Sequence, residues 1–521
     1  MVINQSNFRV LIVYPNLSMM LTPSYAIGIF TAILKKEGYN VDLFDCTPYL
    51  PSHEFLKEAL PVTRANSLLN SRKFDPISLW GQPKENLLSD FNKKVTDYDP
   101  HAIIFSTVVE DTWPQLQDLL KEMRNFPDIP SISGGVFAIM SPEIMMENED
   151  LRLIGTGEGE EVILDFCEAV RRGLDWTHIP GTWAKSDAGE LIKNPKRSLV
   201  NINNVVADFS LFDEKRFLRP LGAKIWKAIP LETYRGCPYT CTFCNSPAQV
   251  VIAKESNQGN FLRRKKISVL REEIKILVEK HDPDFFYIND DAFMARPKPE
   301  IFEFAEMYSE FKIPFWFQTR FEDVSAEKLK ALKDVGCYRI SFGLEHGNEQ
   351  YRLHKLFRKI SNERILEKAK VVVASGIPFT LNLIVGFPYE TRELMFESIE
   401  FIRKINGYDS LSVNVFVPYH GTVLRDMAIK EGWLDPNRQT TSVIAESILE
   451  MPPPYLSADE ILGLQRTFPL YAKLPKSRWD YIKIAEKDDE EGKEAFKALA
   501  KEFYDLTYGM DEESRMLTYA G

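Results

Sequence analysis

Arg235-Gly236-Cys237-Pro238-Tyr239-Thr240-Cys241-Thr242-Phe243-Cys244 places three thiols within eight residues, with an aromatic directly before the third. Three thiolates this close on one loop suit a soft metal centre. A closed structural zinc site takes a fourth ligand, usually from a second pair of similar spacing. The next histidine here is His281 and the next cysteine Cys337. A cubane iron–sulfur cluster normally takes four thiolates, so three protein ligands leave one iron open to bind and activate a further molecule. The plainer alternatives are a disulfide and a zinc knuckle, and the missing fourth ligand weighs against them.

Working outward, a chain of 521 residues holds more than one domain, and 44% hydrophobic residues supply full cores. No apolar run is long enough to span a bilayer. Met1-Val2-Ile3-Asn4-Gln5-Ser6 lacks the basic region that opens a secretory signal. Cys46, Cys167 and Cys337 are scattered among apolar neighbours, as buried thiols of a reducing cytoplasm are. A net charge of −11 speaks against nucleic acid as main substrate. One local basic run, Arg263-Arg264-Lys265-Lys266, reads as a solvated loop before a helix.

Residues 1–174 alternate strand and helix. Strand-like runs fall at Phe8–Tyr14, Val41–Asp45, His101–Ser106, Ile129–Ser133 and Leu151–Ile154, and Ala26–Lys36 has the apolar face of a helix. Residues 51 to 95 read as a helical insertion broken by prolines. The alternation predicts a doubly wound parallel sheet, with ligands beyond the carboxyl ends of its strands. Small residues stand there: Ser106, Thr107 and Val108 after the third strand, Gly134 and Gly135 after the fourth. Residues 175–228 read as a linker with a hairpin around Ser186-Asp187-Ala188-Gly189. Residues 229–435 carry six strand-like runs separated by amphipathic helices, with Ser268, Ser325 and Ser361 as helix starts. Six such units make a partial (β/α)6 barrel, whose chemistry sits at the carboxyl ends of its strands. The cysteine loop follows the first of them. Residues 436–521 read as a helical segment in which Phe468, Tyr471 and Trp479 mostly pack.

The Cys-x3-Cys-x-aromatic-Cys spacing, Phe243 included, resembles the radical S-adenosylmethionine (SAM) superfamily. The Ser-x-Val and Gly-Gly elements ahead of it, and Gly157-Glu158-Gly159-Glu160, are similar to the cobalamin-binding radical SAM enzymes. Val108 stands where that family has leucine. Pro15-Asn16-Leu17-Ser18-Met19-Met20 lacks the Asp-x-His-x-x-Gly that supplies a cobalt ligand elsewhere. The resemblance implies an N-terminal Rossmann-like cobalamin domain, a radical SAM barrel and three cofactors: a [4Fe-4S] cluster, SAM and cobalamin. It implies Cys237, Cys241 and Cys244 as iron ligands, and Ser106, Thr107, Val108, Gly134 and Gly135 around cobalamin.

For SAM it implies Phe243, Asp290 or Asp291, Arg320, Glu345, and Gly386 and Pro388 of the Gly-x-Pro-x-Glu-Thr turn. Helix capping by Asp290 or Asp291 and a surface ion pair for Arg320 are the structural alternatives. His346 reads as a neighbour, and Tyr419 and His420 as weak candidates for facing substrate. The implied activity is methyl transfer to an unactivated carbon of a small-molecule, lipid or peptide substrate. Electrons would come from a donor such as flavodoxin or ferredoxin. Cyclisation or rearrangement without methyl transfer is the alternative. A methylthiotransferase is disfavoured because the first region holds only Cys46 and Cys167, and a non-catalytic carrier because of the successive SAM-contact candidates.

Overall fold

A computed structural model describes residues 4–17, 22–50, 69, 73–107, 110–222, 224–440, 442–443, 445–509 and 516–517. Ser18, Met19, Met20, Val108 and residues 51–68 and 70–72 of the proline-broken insertion lie outside the described residues. Two seven-stranded sheets dominate. The first comprises β1 (Arg9–Tyr14), β2 (Asn40–Asp45), β3 (Ala102–Thr107), β4 (Ser131–Gly135), β5 (Leu153–Gly155), β6 (Thr182–Lys185) and β7 (Leu191–Lys193), in the order β2-β1-β3-β4-β5-β6-β7. Its first five strands are parallel. Val10, Leu11, Ile12 and Val13 are wholly buried, as expected of a strand covered on both faces. The predicted hairpin is β6–β7, and it pairs antiparallel with β5. It therefore extends the first sheet instead of bridging to the second. Farther along that segment, Phe209, Phe212 and Phe217 are core; Phe209 lies so close to Gly28 that an added Cβ would stand 2.7 Å from its ring, and Phe209 and Phe217 also meet His281 of the helix Ile267–His281.

The second sheet comprises β8 (Leu218–Leu221), β9 (Lys224–Leu231), β12 (Phe285–Ile288), β13 (Phe315–Thr319), β14 (Cys337–Glu345), β15 (Phe379–Val385) and β16 (Ser410–Val415); β10 (Tyr234–Arg235) and β11 (Arg263–Arg264) form a separate antiparallel pair. Strands β9 and β12 to β16 are parallel neighbours in chain order, and β8 closes one edge antiparallel. These are the six predicted barrel strands. Ser325 and Ser361 accept from the backbone N–H of Lys328 and Arg364 as caps. Ser268 does not cap: its helix, Ile267–His281, starts one residue earlier after Lys266.

The C-terminal helices cover the open side of this sheet. Helix Ala458–Lys473 begins with a capping box from Ser457 and Glu460. Its Gln465 donates to the Val413 carbonyl at 3.2 Å, and Phe468, Leu470 and Tyr471 are buried. Among the described residues no helix is long and apolar enough to cross a membrane.

Candidate functional site

The cysteine loop is held from three sides. Beneath it, the buried Asp290 accepts from the Thr233 and Tyr234 backbone N–H at 2.8 and 3.1 Å and from the Thr233 hydroxyl, while Arg296 pairs with it. Those partners commit Asp290 to shaping the strand end. Asp291 instead accepts from Ser246 at 2.9 Å and lines the cavity described below. Gly236 opens the loop at φ +96°, where a Cβ would stand 2.9 Å from Phe261. The Thr242 hydroxyl donates to the Lys355 carbonyl at 2.6 Å, and the Leu424 N–H donates to the Thr242 carbonyl at 3.1 Å.

Around the thiols the setting is electrostatic. Arg320 donates to Cys241 Sγ at 3.4 Å, lies over the Tyr239 ring at 3.7 Å and pairs with Glu322. Glu345, at φ +67° on a register shift of β14, accepts from Arg358 at 3.0 Å. The backbone N–H of Ser246 donates to Cys244 Sγ at 3.5 Å. Burial pushes Cys237 and Cys244 up to about 12, and each thiol is raised further by a neighbouring cysteine. Burial also raises Cys241, against the pull of Arg358 and Arg320. The thiols thus lie within electrostatic reach of one another, and burial keeps them protonated until a metal offsets the charge. Hydrogen bonds aimed at two of the sulfurs favour the thiolate. This donor set fits an iron–sulfur cluster. Among the described residues no His, Cys, Asp or Glu group is arranged for a single metal ion, and all six cysteines are free.

Phe243 meets Phe387 at 5.6 Å between ring centroids, which joins the triad to the Gly386-Phe387-Pro388 turn. Gly386 (φ +89°) donates its N–H to Glu390 at 2.6 Å, and a Cβ there would meet Ile461 of the C-terminal helix at 2.9 Å. The Pro388 carbonyl accepts from Tyr351 at 2.6 Å. His346 lies 3.2 Å from Glu390 with both side chains fully buried, so it braces this turn.

At the first sheet, Ser106 and Thr107 pair in register with Gly134 and Gly135. Gly135 has φ +131°, and a Cβ on it would sit 1.7 Å from the Thr107 carbonyl oxygen. Only glycine fits. A cavity of about 360 Å³ opens here, lined by these four residues and, from the second sheet's side, by Glu232, Tyr234, Arg235 and Gly236. Thr107 Oγ1 and Ser133 Oγ are buried beside it without a hydrogen-bond partner. Orphaned hydroxyls call for a ligand or water, and the glycine cradle lets a large flat group approach. The site fits a corrinoid.

Two groups escaped the sequence reading. Glu110 accepts from the His420 N–H at 3.2 Å, with His420 Nδ1 at 3.1 Å from the same carboxylate oxygen. Next to it, burial and then Glu110 raise the Asp111 carboxyl to about 7, although its own backbone N–H opposes this. Asp111 Oδ1 and His420 Nε2 are buried without partners. Tyr419 is raised by burial and then by Asp111, Glu110 and Cys244, so this group spans from the first sheet to the cysteine loop. Only the Pro418-Tyr419-His420 turn hinted at it. The second group is the charge network of Glu158, Arg235 and Arg263, taken up below.

A parallel half-barrel with a thiol triad after its first strand, docked on a Rossmann-like sheet, defines a class: the radical SAM barrel with an appended ligand-binding domain. Residues 231–402 match the family model of the radical SAM superfamily. The chain is 25% identical over 362 residues to the uncharacterized methyltransferase PH0819 of Pyrococcus horikoshii, covering 68% of this chain and 75% of that one. It is 25% identical over 327 residues to the anaerobic magnesium-protoporphyrin IX monomethyl ester cyclase of Rubrivivax gelatinosus, covering 60% of this chain and little more than half, 56%, of the cyclase. The fold is similar to that of the cobalamin-dependent S-adenosylmethionine radical enzyme OxsB, solved with aqua-cobalamin and S-adenosylmethionine bound. That comparison has TM-score 0.63 at 16% identity, over 98% of this chain and 74% of that one. Residues 231–402 thus carry a radical SAM domain, and over nearly the whole chain the fold is similar to that of a cobalamin-dependent radical SAM enzyme.

Proposed function

We propose that this protein is a cobalamin-dependent radical SAM enzyme that methylates an unactivated carbon, in the reducing cytoplasm that its free thiols suit. The observation that carries the reading is one cavity walled by both the glycine cradle of the first sheet and the start of the cysteine loop. Residues 1–174 with the β6–β7 hairpin would hold cobalamin through Ser106, Thr107, Gly134 and Gly135, and residues 229–435 would hold the [4Fe-4S] cluster through Cys237, Cys241 and Cys244. When bound, the cluster and SAM supply a deoxyadenosyl radical and the corrinoid supplies the methyl group, the hard chemistry being the cofactors' own.

The chain's part is placement and exclusion. Arg320 and Ser246 N–H stabilise sulfur charge at Cys241 and Cys244. With the acceptors of Asp290 taken, Asp291 and Glu345 are carboxylates beside the triad for an ammonium or a ribose hydroxyl. Phe243, Gly386 and Pro388 would form the adenine-facing wall. Asp111, Tyr419 and His420 offer polar groups to a substrate entering between the domains. The relationship to an anaerobic cyclase supports a second reading, ring formation without methyl transfer.

Anaerobic reconstitution tests the first reading, with iron, sulfide and cobalamin quantified and SAM cleavage followed after reduction by dithionite or flavodoxin. Deoxyadenosine formation that needs all three cysteines is expected. Its absence in fully loaded protein overturns the reading, and the product mass separates gain of a methylene from loss of hydrogen.

A further inference from the structure

Arg235 stands two residues before Cys237. Its guanidinium reaches back into the first domain, donating to Glu158 and Glu160 at 2.8 Å each, and forward to Glu232 at 3.0 Å. Glu158 is shared. Its other oxygen accepts from Arg263 at 2.9 Å and from the Val200 N–H at 2.8 Å. Burial alone would raise the Glu158 carboxyl; hydrogen bonds and charge from Arg263 and Arg235 outweigh it and hold it below the usual carboxylate range. Arg235 and Arg263 are paired across β10–β11, so a small sheet presents two guanidiniums to one acid of the other domain, Arg263 by two nitrogens and Arg235 by one. Glu158, Glu160, Glu232 and Arg235 also line the cavity.

We propose that Glu158 and Arg235 are positioning residues that couple the two cofactor sites: the carboxylate that shapes the corrinoid cavity also sets where the cysteine loop begins. The inference rests on the function proposed above. Arg235 is clamped by two nitrogens on Glu232, next to the loop's own strand end, and its remaining nitrogen is shared by Glu158 and Glu160, so the guanidinium ties the acid of one side to the loop of the other. Displacement of Glu158 by a ligand in the cavity is therefore transmitted to Gly236 and Cys237, and assembly at the cysteines is transmitted back. Such coupling is reciprocal. Arg263 holds the same acid but does not adjoin the loop, so it contributes docking without transmission.

The test measures hydroxocobalamin affinity by anaerobic absorbance titration on cluster-loaded and cluster-free full-length protein. Wild type is expected to show affinities that differ by about fivefold or more between the two forms. Arg235→Lys and Glu158→Gln are expected to bring that ratio to near one. Arg263→Lys should weaken binding in both forms alike and leave the ratio intact. In parallel, adding hydroxocobalamin should change the electron paramagnetic resonance signal of the reduced cluster in wild type and not in Arg235→Lys. Equal wild-type affinities, or a ratio that survives Arg235→Lys, overturn the coupling and leave the proposed function standing. A ratio lost in Arg263→Lys as well reduces the network to docking and overturns the inference. No hydroxocobalamin binding in either form overturns the inference and the proposed function together.

Discussion

At the carboxyl ends of the first sheet the chain makes room; at those of the second it concentrates charge. Thr107 meets Gly135 across a gap that no side chain could share, and the walls are mostly apolar, with Ile104, Ile132 and Val162 among them. The second sheet ends in Arg320 with Glu322, Glu345 with Arg358 and Asp290 with Arg296 around three half-buried thiols. Both are seven-stranded sheets with a parallel core and antiparallel edge strands, and that layout alone does not distinguish them. The first site depends on missing atoms, so damage there is steric. The second depends on compensated charge, so damage there is electrostatic and is felt by the fold as well as by the site.

That contrast can be broken at several points. The largest effect is expected from Cys241→Ala: cluster absorbance and SAM cleavage should fall by more than the about 100-fold that even outer partners of a metal ligand carry, as iron and sulfide content will report. Retained cluster would remove the triad from the second site. Next, Arg296→Ala leaves Asp290, which is 2% exposed, as an unpaired buried acid. Urea denaturation should show a loss of about 3–5 kcal/mol, and a loss below 1 kcal/mol would mean that the second sheet does not rely on charge compensation. Gly135→Ala should weaken hydroxocobalamin binding about 100-fold, since left-handed backbone alone costs of order 1–3 kcal/mol before the overlap with Thr107 is counted. Unchanged affinity would show that the cradle is not the ligand's seat.

The smallest effect concerns Asp111, which sits where the two regions meet. Its folded carboxyl titrates near 7 against an ordinary value of 3.8, so the folded protein holds a proton that the unfolded chain has already lost. Stability from this group therefore falls as pH rises from about 4 to about 7, and the deficit persists above that. Asp111→Asn removes this slope and should gain about 1–3 kcal/mol relative to wild type at pH 8 compared with pH 4. Thermal unfolding at the two pH values checks this, and equal shifts at both would place Asp111 in contact with solvent or a cation.

Much of the architecture was legible in advance because it is written in short-range pattern. Strand runs such as Val10–Val13 and Leu381–Val385 are apolar enough to demand burial, and Ser325 and Ser361 announced their helices. Errors came where the deciding partner lies far along the chain. The hairpin at Ser186–Gly189 has the same sequence whether it bridges domains or extends a sheet; pairing with Leu153–Gly155 chose the second. The basic run at Arg263–Lys266 looked solvated. In the fold, Arg263 meets Glu158 and Lys265 is buried against Tyr25 and Glu273. Asp290 and Asp291 were equivalent on paper, and the strand end claimed the first.

Spacing and periodicity alone determined the thiol triad, the two parallel sheets and the small residues at the first sheet's ends, because ligand spacing and burial on both faces are local properties of the chain. Tertiary structure decided which charges are buried, which acid serves the backbone, and that one cavity is shared by two domains. Glu110 and His420 are 310 residues apart and within hydrogen-bonding distance; the cost of burying either depends wholly on the other, and no local pattern records that.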